Sequence, residues 1–250
     1  MSSELLNITL LALLGSVVAL VGGVVFLYVP FLSKILQKYS FSYAAGVLIT
    51  VSLAGLIPEA VHELGFNAYI VASISFLIIF IFEKIFFGLH HHDESESHHH
   101  VKSSSLAFVI IGDTIHNFID GLAIASSYLA SPGLGLITSL STFLHEVPHE
   151  VGDFGIMLKS NWKKNKILVV NIVSSLVTLL GAYFVYFYND SEILNGILMA
   201  ISAGIFFYLG VIDFLPRIEG KGNEHKLKKF IPLILGSISI LLISLLVPHE

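Results

Sequence analysis

Eight long apolar runs, separated by short polar stretches, constrain this chain more than any other feature. They read as helices near Ile8–Phe31, Tyr43–Pro58, Ala68–Phe87, Leu106–Leu129, Leu134–Leu158, Ile167–Tyr188, Ile193–Leu215 and Phe230–Val247. Crossing a bilayer takes ~20 apolar residues in helical form, and most of the runs meet that length. Tyr43–Pro58 is short and is expected to continue past Pro58 towards Glu63. The runs are continuous rather than alternating, which favours helices over a strand barrel. Composition agrees. Of 250 residues, 55% are hydrophobic and only 12% are Asp, Glu, Lys or Arg, about half the ~25% usual in soluble domains. With a mean hydropathy of +0.85, the chain reads as neither a water-soluble enzyme nor a disordered segment. A net charge of −5 without a long basic run argues against nucleic acid as a partner. The absence of Cys removes disulfides, thiolate ligands and Cys nucleophiles.

The fold class expected is an all-α polytopic membrane protein, one transmembrane domain over residues 1–250. Spans 1–3 cover about 8–88, a His-rich cytoplasmic loop 89–105, central spans 4–5 about 106–158, and spans 6–8 about 167–247. Met1–Asn7 has no Lys or Arg, and no cleavage site follows it, so the first run reads as a span rather than a signal peptide. All 13 Lys and Arg fall in the odd-numbered loops. The positive-inside rule then puts those loops in the cytoplasm and both termini outside, and a plasma membrane is the expected location.

A repeat shows in the helix pattern. Ala45-Gly46 precedes Leu56-Ile57-Pro58, and Ala203-Gly204 precedes Phe214-Leu215-Pro216 at the same offset. The two segments run in opposite directions through the expected bilayer, as an inverted-topology repeat requires. Chance is the competing reading, because Gly and Pro are common in membrane helices. The repeat pairs spans 1–3 with 6–8 and leaves 4 and 5 as a central pair.

Charge concentrates in that pair. Span 4 carries Asp113, His116, Asn117 and Asp120, and span 5 carries His145, Glu146, His149, Glu150 and Asp153. A charge at mid-membrane costs at least ~2.5–3.5 kcal/mol, so the set needs compensation. Asp113, His116, Asn117 and Asp120 share one helical face, and His145/His149 and Glu146/Glu150 are i, i+4 pairs. The Ser131-Pro132-Gly133 turn makes the two helices antiparallel neighbours. His116, Asp120, His145 and His149 make a nitrogen-rich set suited to zinc. Asn117, Glu146 and Asp120 make an adjacent, oxygen-richer set. Glu150, Asp113 and Asp153 are additional candidates. A hydrogen-bonded polar network that only locks the helices is the bland alternative, and nine polar groups on two helices weigh against it.

At these residues the chain resembles the ZIP metal transporters. Ile111-Gly112-Asp113-Thr114-Ile115-His116-Asn117-Phe118-Ile119-Asp120-Gly121 is similar to that family's fourth-helix signature. His145-Glu146-Val147-Pro148-His149-Glu150-Val151-Gly152-Asp153-Phe154 is similar to the fifth-helix signature of the branch bearing HExPHE. The resemblance covers spans 2 to 7. It implies eight spans in a 3+2+3 arrangement with inverted outer triplets, outward termini and movement of metal into the cytosol. By resemblance, His116, Asp120, His145 and His149 match the primary site, and Asn117, Asp120, Glu146 and His149 the second. The sixth-helix carboxylate of some relatives has no counterpart, since only Asn171, Ser174, Ser175 and Thr178 occur there. With only Met1–Asn7 expected outside, the roles of the large extracellular domain of some relatives do not carry over.

Zinc is the expected cargo, with Fe2+, Cd2+ and Mn2+ as further divalent ions and no catalytic cofactor. The bilayer is the other partner, and a homodimer is compatible with the sequence. His90, His91, His92, His98, His99 and His100 suit weak, flexible zinc binding in a buffering or sensing role, or form part of a plain solvated linker. Glu59, His62 and Glu63 either gather cations at the outer end of span 2 or form a satisfied surface cluster. Asp213 either lines the exit path or caps a helix end. The rival functions are an intramembrane metalloprotease built on the H-E-x-x-H of His145–His149, a proton-coupled zinc exporter and a non-transporting sensor. Pro148 inside that motif, and His116 filling the coordination position a catalytic zinc keeps open, weigh against the protease.

Overall fold

The computed structural model describes residues 2–86, 103–188, 191–218 and 226–247. The His90–His100 tract lies outside them. Among the described residues there is no strand, and the helices group into eight rods. The first is α1 (Ser3–Gly15) and α2 (Val21–Tyr28), and the second is α3 (Pro30–Val51), a π-helical turn (Ser52–Leu56) and α4 (Ile57–Leu64). Single helices follow as α5 (Asn67–Phe86), α6 (Ser103–Ala130) and α7 (Pro132–Lys159). Then come α8 (Lys164–Ser175) with α9 (Val177–Tyr188), α10 (Glu192–Tyr208) with a π-helical turn (Leu209–Phe214), and α11 (Lys226–Leu246).

Pro30–Leu64, Asn67–Ile85, Lys164–Tyr188 and Glu192–Phe214 are each long and apolar enough to cross a membrane. At 28 residues apiece, α6 and α7 reach about 42 Å, but they carry the acidic residues at their middles. The second rod differs from the sequence expectation at its start and meets it at its end. The second rod starts at Pro30 rather than Tyr43. A proline fits the first helical turn, and the residue before it is driven out of helical geometry, as Val29 is at φ −121°, ψ 89°. At the other end, Gly65 closes α4 at φ +57°, a conformation that suits glycine, with its N–H bonded to the Val61 carbonyl.

The two segments aligned by the Gly/Pro offset share local geometry. Ile57 N–H bonds the Ser52 carbonyl, and Leu215 N–H bonds the Gly210 carbonyl, each an i→i−5 bond one residue before a proline. The ring of Pro58 or Pro216 has no N–H and crowds the preceding turn, which widens to π geometry. Gly46 meets α11 so closely that a Cβ would overlap the Leu233 carbonyl, and a Cβ on Gly204 would overlap the Ala72 carbonyl of α5. Packing of α3 on α11 thus parallels packing of α10 on α5. Ser52 Oγ ties the segments together by donating to the Ala203 carbonyl at 2.7 Å.

Side-chain bonds fix which ends lie together. Ser2 Oγ pairs with the Tyr186 hydroxyl at 2.7 Å, and Asn7 donates to the Tyr128 hydroxyl at 2.8 Å. At the opposite end, Lys164 donates to the Leu27 carbonyl at 2.6 Å and lies over the Tyr28 ring. The Lys34/Lys38 stretch and the Lys159–Lys166 segment therefore share one end of the bundle. The centre of the molecule is the antiparallel α6/α7 pair, with α9 behind α6 and α1, α2 and α3 against α7.

Candidate metal centre

Helical spacing puts the polar residues of α6 on one face, and tight packing holds that face in place. A Cβ on Gly121 would overlap the Thr178 carbonyl, and one on Gly181 the Phe118 carbonyl, so α6 and α9 meet at backbone distance. That approach lets Thr178 Oγ1 donate to Asn117 Oδ1 at 3.0 Å, while Asn117 Nδ2 donates to Asp113 Oδ1 at 3.0 Å. Thr114 Oγ1 and Ser174 Oγ pair at 3.1 Å beside them. The facing surface of α7 is buried as well. His145, Glu146 and Glu150 are 0%, 1% and 2% exposed, against 1% for Asp120 and 6% for His116. Burial at this depth is affordable for carboxylates only if something neutralises them.

Four ligand-type atoms converge at the centre. His145 Nε2 lies 3.2 Å from His116 Nε2 and 3.4 Å from Asp120 Oδ2. His116 Nε2 lies 3.6 Å from Asp120 Oδ2 and 3.4 Å from Glu146 Oε2. A zinc ion with ligands at ~2.0–2.1 Å has tetrahedral edges of about 3.3 Å. Four of the six edges of the His116/Asp120/His145/Glu146 set thus lie near the ideal, and all its ligand atoms fall within 4.8 Å of one another. His145 Nδ1 sits 2.9 Å from the Ser141 carbonyl. A carbonyl only accepts, so Nδ1 carries the proton and Nε2 presents its lone pair to the cluster. Both oxygens of Asp120 and both of Glu146 are buried without a hydrogen-bond partner. Carboxylate oxygens buried without hydrogen bonds are costly, and a divalent cation would satisfy them and take the place of the proton between the two imidazole nitrogens.

The structure therefore places His116, Asp120, His145 and Glu146 together. His149, which the sequence sets as the fourth member, stands one turn further along α7. Its ring stacks on His116 at 4.6 Å and 11°, and it groups with Asp113 and Asp153. Asn117 lies next to the cluster with its amide engaged by Asp113 and Thr178. Glu150 is buried beside them with both oxygens lacking a hydrogen-bond partner. Aromatic edges close the side towards α10, with Phe206 5.3 Å from the His145 ring and Phe214 6.2 Å from the His149 ring. Sequence reasoning missed Ser141 and Phe206. Ser141 was findable as the i−4 residue of His145, whereas Phe206 carries no signal of its own in an apolar helix. Away from the centre, Glu59, His62 and Glu63 also come within ligand distance of one another, at the surface. Asp213 lies in the second π-helical turn.

Residues 104–244, more than half of the chain, match the model of the family described as ZIP Zinc transporter. The chain is 35% identical over 145 residues to "Zinc transporter foi" of Drosophila melanogaster, covering 58% of this chain and 20% of that protein. It is 37% identical over 110 residues to "Zinc transporter ZIP4" of Homo sapiens, covering 44% of this chain and 17% of the relative. With "Zinc transporter ZIP10" of Danio rerio it shares 38% identity over 124 residues, 47% of this chain and 14% of that protein. The chain thus spans about a fifth or less of the length of the curated relatives it matches. The family match runs through both polar helices and the centre they build, and on it the chain belongs to the ZIP zinc transporter family.

Proposed function

We propose that this chain carries zinc across a membrane into the cytoplasm by alternating access of the α6/α7 centre. The observation that carries the reading is the near-tetrahedral spacing of His116, Asp120, His145 and Glu146, with Asp120 and Glu146 buried and lacking hydrogen bonds. Two imidazoles and two carboxylates bind a borderline-soft dication. The relatives' names, each a zinc transporter, favour zinc, with Cd2+, Fe2+ and Mn2+ as competitors. The arrangement we infer is eight spans in a 3+2+3 order with inverted outer triplets, in the branch bearing HExPHE. The matched π turns before Pro58 and Pro216 and the paired α3/α11 and α10/α5 contacts support that order. Segregation of Lys and Arg supports cytoplasmic odd loops and outward termini.

The protease reading requires Glu146 to act on water as a base beside the metal. Here Glu146 Oε2 is 3.4 Å from His116 Nε2, within the ligand set itself, which favours the transporter. The test is zinc uptake into liposomes by purified protein. His116→Ala and His145→Ala should each lower uptake at least ~100-fold, beyond the 10–100-fold typical of losing a mere supporting contact. Uptake near the wild-type rate by both variants, at equal incorporation, would reject the centre.

A further inference from the structure

We propose that a second divalent ion is held by Asp113, His149 and Asp153 with Glu150, one helical turn beyond the central cluster towards the Lys-rich end. The inference rests on the transporter reading and gives its release step a place.

One ligand atom from each of Asp113, His149 and Asp153 lies within 4.8 Å of the others, with His149 Nδ1 3.9 Å from Asp153 Oδ2. Independently, Glu150 is 2% exposed with both carboxylate oxygens lacking a hydrogen bond. Glu146, Asp113 and Asp153 are its acidic neighbours. Four acidic groups this close repel one another in a medium of low dielectric, and a dication relieves this. Asp113 is braced for the role. Its Oδ1 accepts from Asn117 Nδ2, and a carboxylate keeps further lone pairs for a metal. Asn117 spends its own amide on Asp113 and Thr178. The second position therefore differs from the one implied by family resemblance, which draws on Asn117, Asp120, Glu146 and His149 and not on Asp153.

Placement and chemistry agree with release. From His145 to His149 is four residues, about 6 Å along the helix, and Asp153 is a further turn towards Lys159. The side chains of His149 and Asp153 are 18% and 13% exposed, against 0% for His145. One imidazole among carboxylates is a harder set than the central one and holds zinc less firmly. The His149 ring stacked on His116 forms the wall shared by the two positions.

The experiment measures bound zinc per chain on the purified full-length protein at fixed free zinc, comparing wild type, Asp153→Ala, Asp113→Asn/Asp153→Ala and His145→Ala. The expected result is one zinc fewer in the double variant, a partial loss in Asp153→Ala, and loss of a different zinc in His145→Ala. The zinc retained by the double variant reports that it is folded. Wild-type stoichiometry in the double variant would overturn the second position and leave the transporter reading intact. That reading fails separately if His145→Ala also keeps every zinc.

Discussion

Two groups in this molecule have nearly the same composition and opposite surroundings. At the centre, His116, Asp120, His145 and Glu146 are all buried, with neighbouring ligand atoms 3.2–3.6 Å apart. At the far end of α4, Glu59, His62 and Glu63 also come within ligand distance, yet the His62 side chain is 79% exposed and pairs with Glu63 at 3.3 Å. Water solvates the second group, so leaving it without metal costs little. The first has exchanged water for burial against side chains such as Phe206, and its carboxylate oxygens make no hydrogen bonds in water's place. Residue type alone does not separate the buried centre from a surface cluster. Burial without hydrogen bonds, together with spacing matched to one ion, does.

Acidification should split the two regions most widely. Metal binds imidazole only in its neutral form, so protons compete with zinc at His116 and His145, and apparent affinity falls as pH drops. Each pH unit below the imidazole titration costs about tenfold for each proton that must leave. Uptake by wild type at limiting zinc should therefore fall about tenfold or more between neutral and mildly acidic pH, whereas a His62→Ala variant should show the same pH profile. A profile that flattens in His62→Ala would shift the proton-sensitive step to the outer group.

Much of the centre was legible in the sequence, because helical periodicity fixes which residues share a face. Asp113, His116, Asn117 and Asp120 had to lie together once the run was helical, and the Ser131-Pro132-Gly133 turn had to bring α7 alongside. The choice between Glu146 and His149 as fourth member was not legible. Both lie within a turn of His145, and the choice depends on how α7 is rotated against α6, which is set by contacts such as Gly22 with Val147 and Gly23 with Phe154. Likewise, the Gly/Pro offset marked matching segments, but only coordinates reveal that the residue before each proline makes an i→i−5 bond. The start of the second rod at Pro30 was obscured because Lys34 and Lys38 interrupt the apolar pattern without interrupting the helix.

A smaller effect should come from the support behind the centre. Thr178→Val keeps the shape at the α6/α9 crossing and removes the hydroxyl that donates to Asn117 Oδ1. One buried hydrogen bond is worth ~1 kcal/mol net, so zinc affinity should weaken by about fivefold through a looser Asn117–Asp113 pair. Thr178→Ser, which restores the donor, should recover most of it. Competition with a fluorescent zinc chelator reads this directly. Equal affinities in Thr178→Val and wild type would show that the centre holds its shape without α9, and would narrow the contrast with the unsupported outer group.

The smallest effect is expected where the outer group itself is dismantled. In the Glu59→Gln/His62→Ala/Glu63→Gln variant every candidate ligand is lost, but each of those side chains has water as an alternative partner. Glu63 pairs with the exposed His62 ring, and exposed pairs contribute ~0–1 kcal/mol. Gly196 of α10 approaches the Glu63 Cβ, so Gln is chosen there to retain the packing stem. Uptake at saturating zinc should stay within about twofold of wild type. At limiting zinc and low salt the loss of negative charge should slow uptake modestly, since attraction by surface charge acts on encounter rates and is screened by salt. A loss comparable to that of His145→Ala, persisting at high salt, would mean that metal is coordinated at α4 before it reaches the centre, and the distinction between a buried site and a solvated cluster would no longer describe this protein.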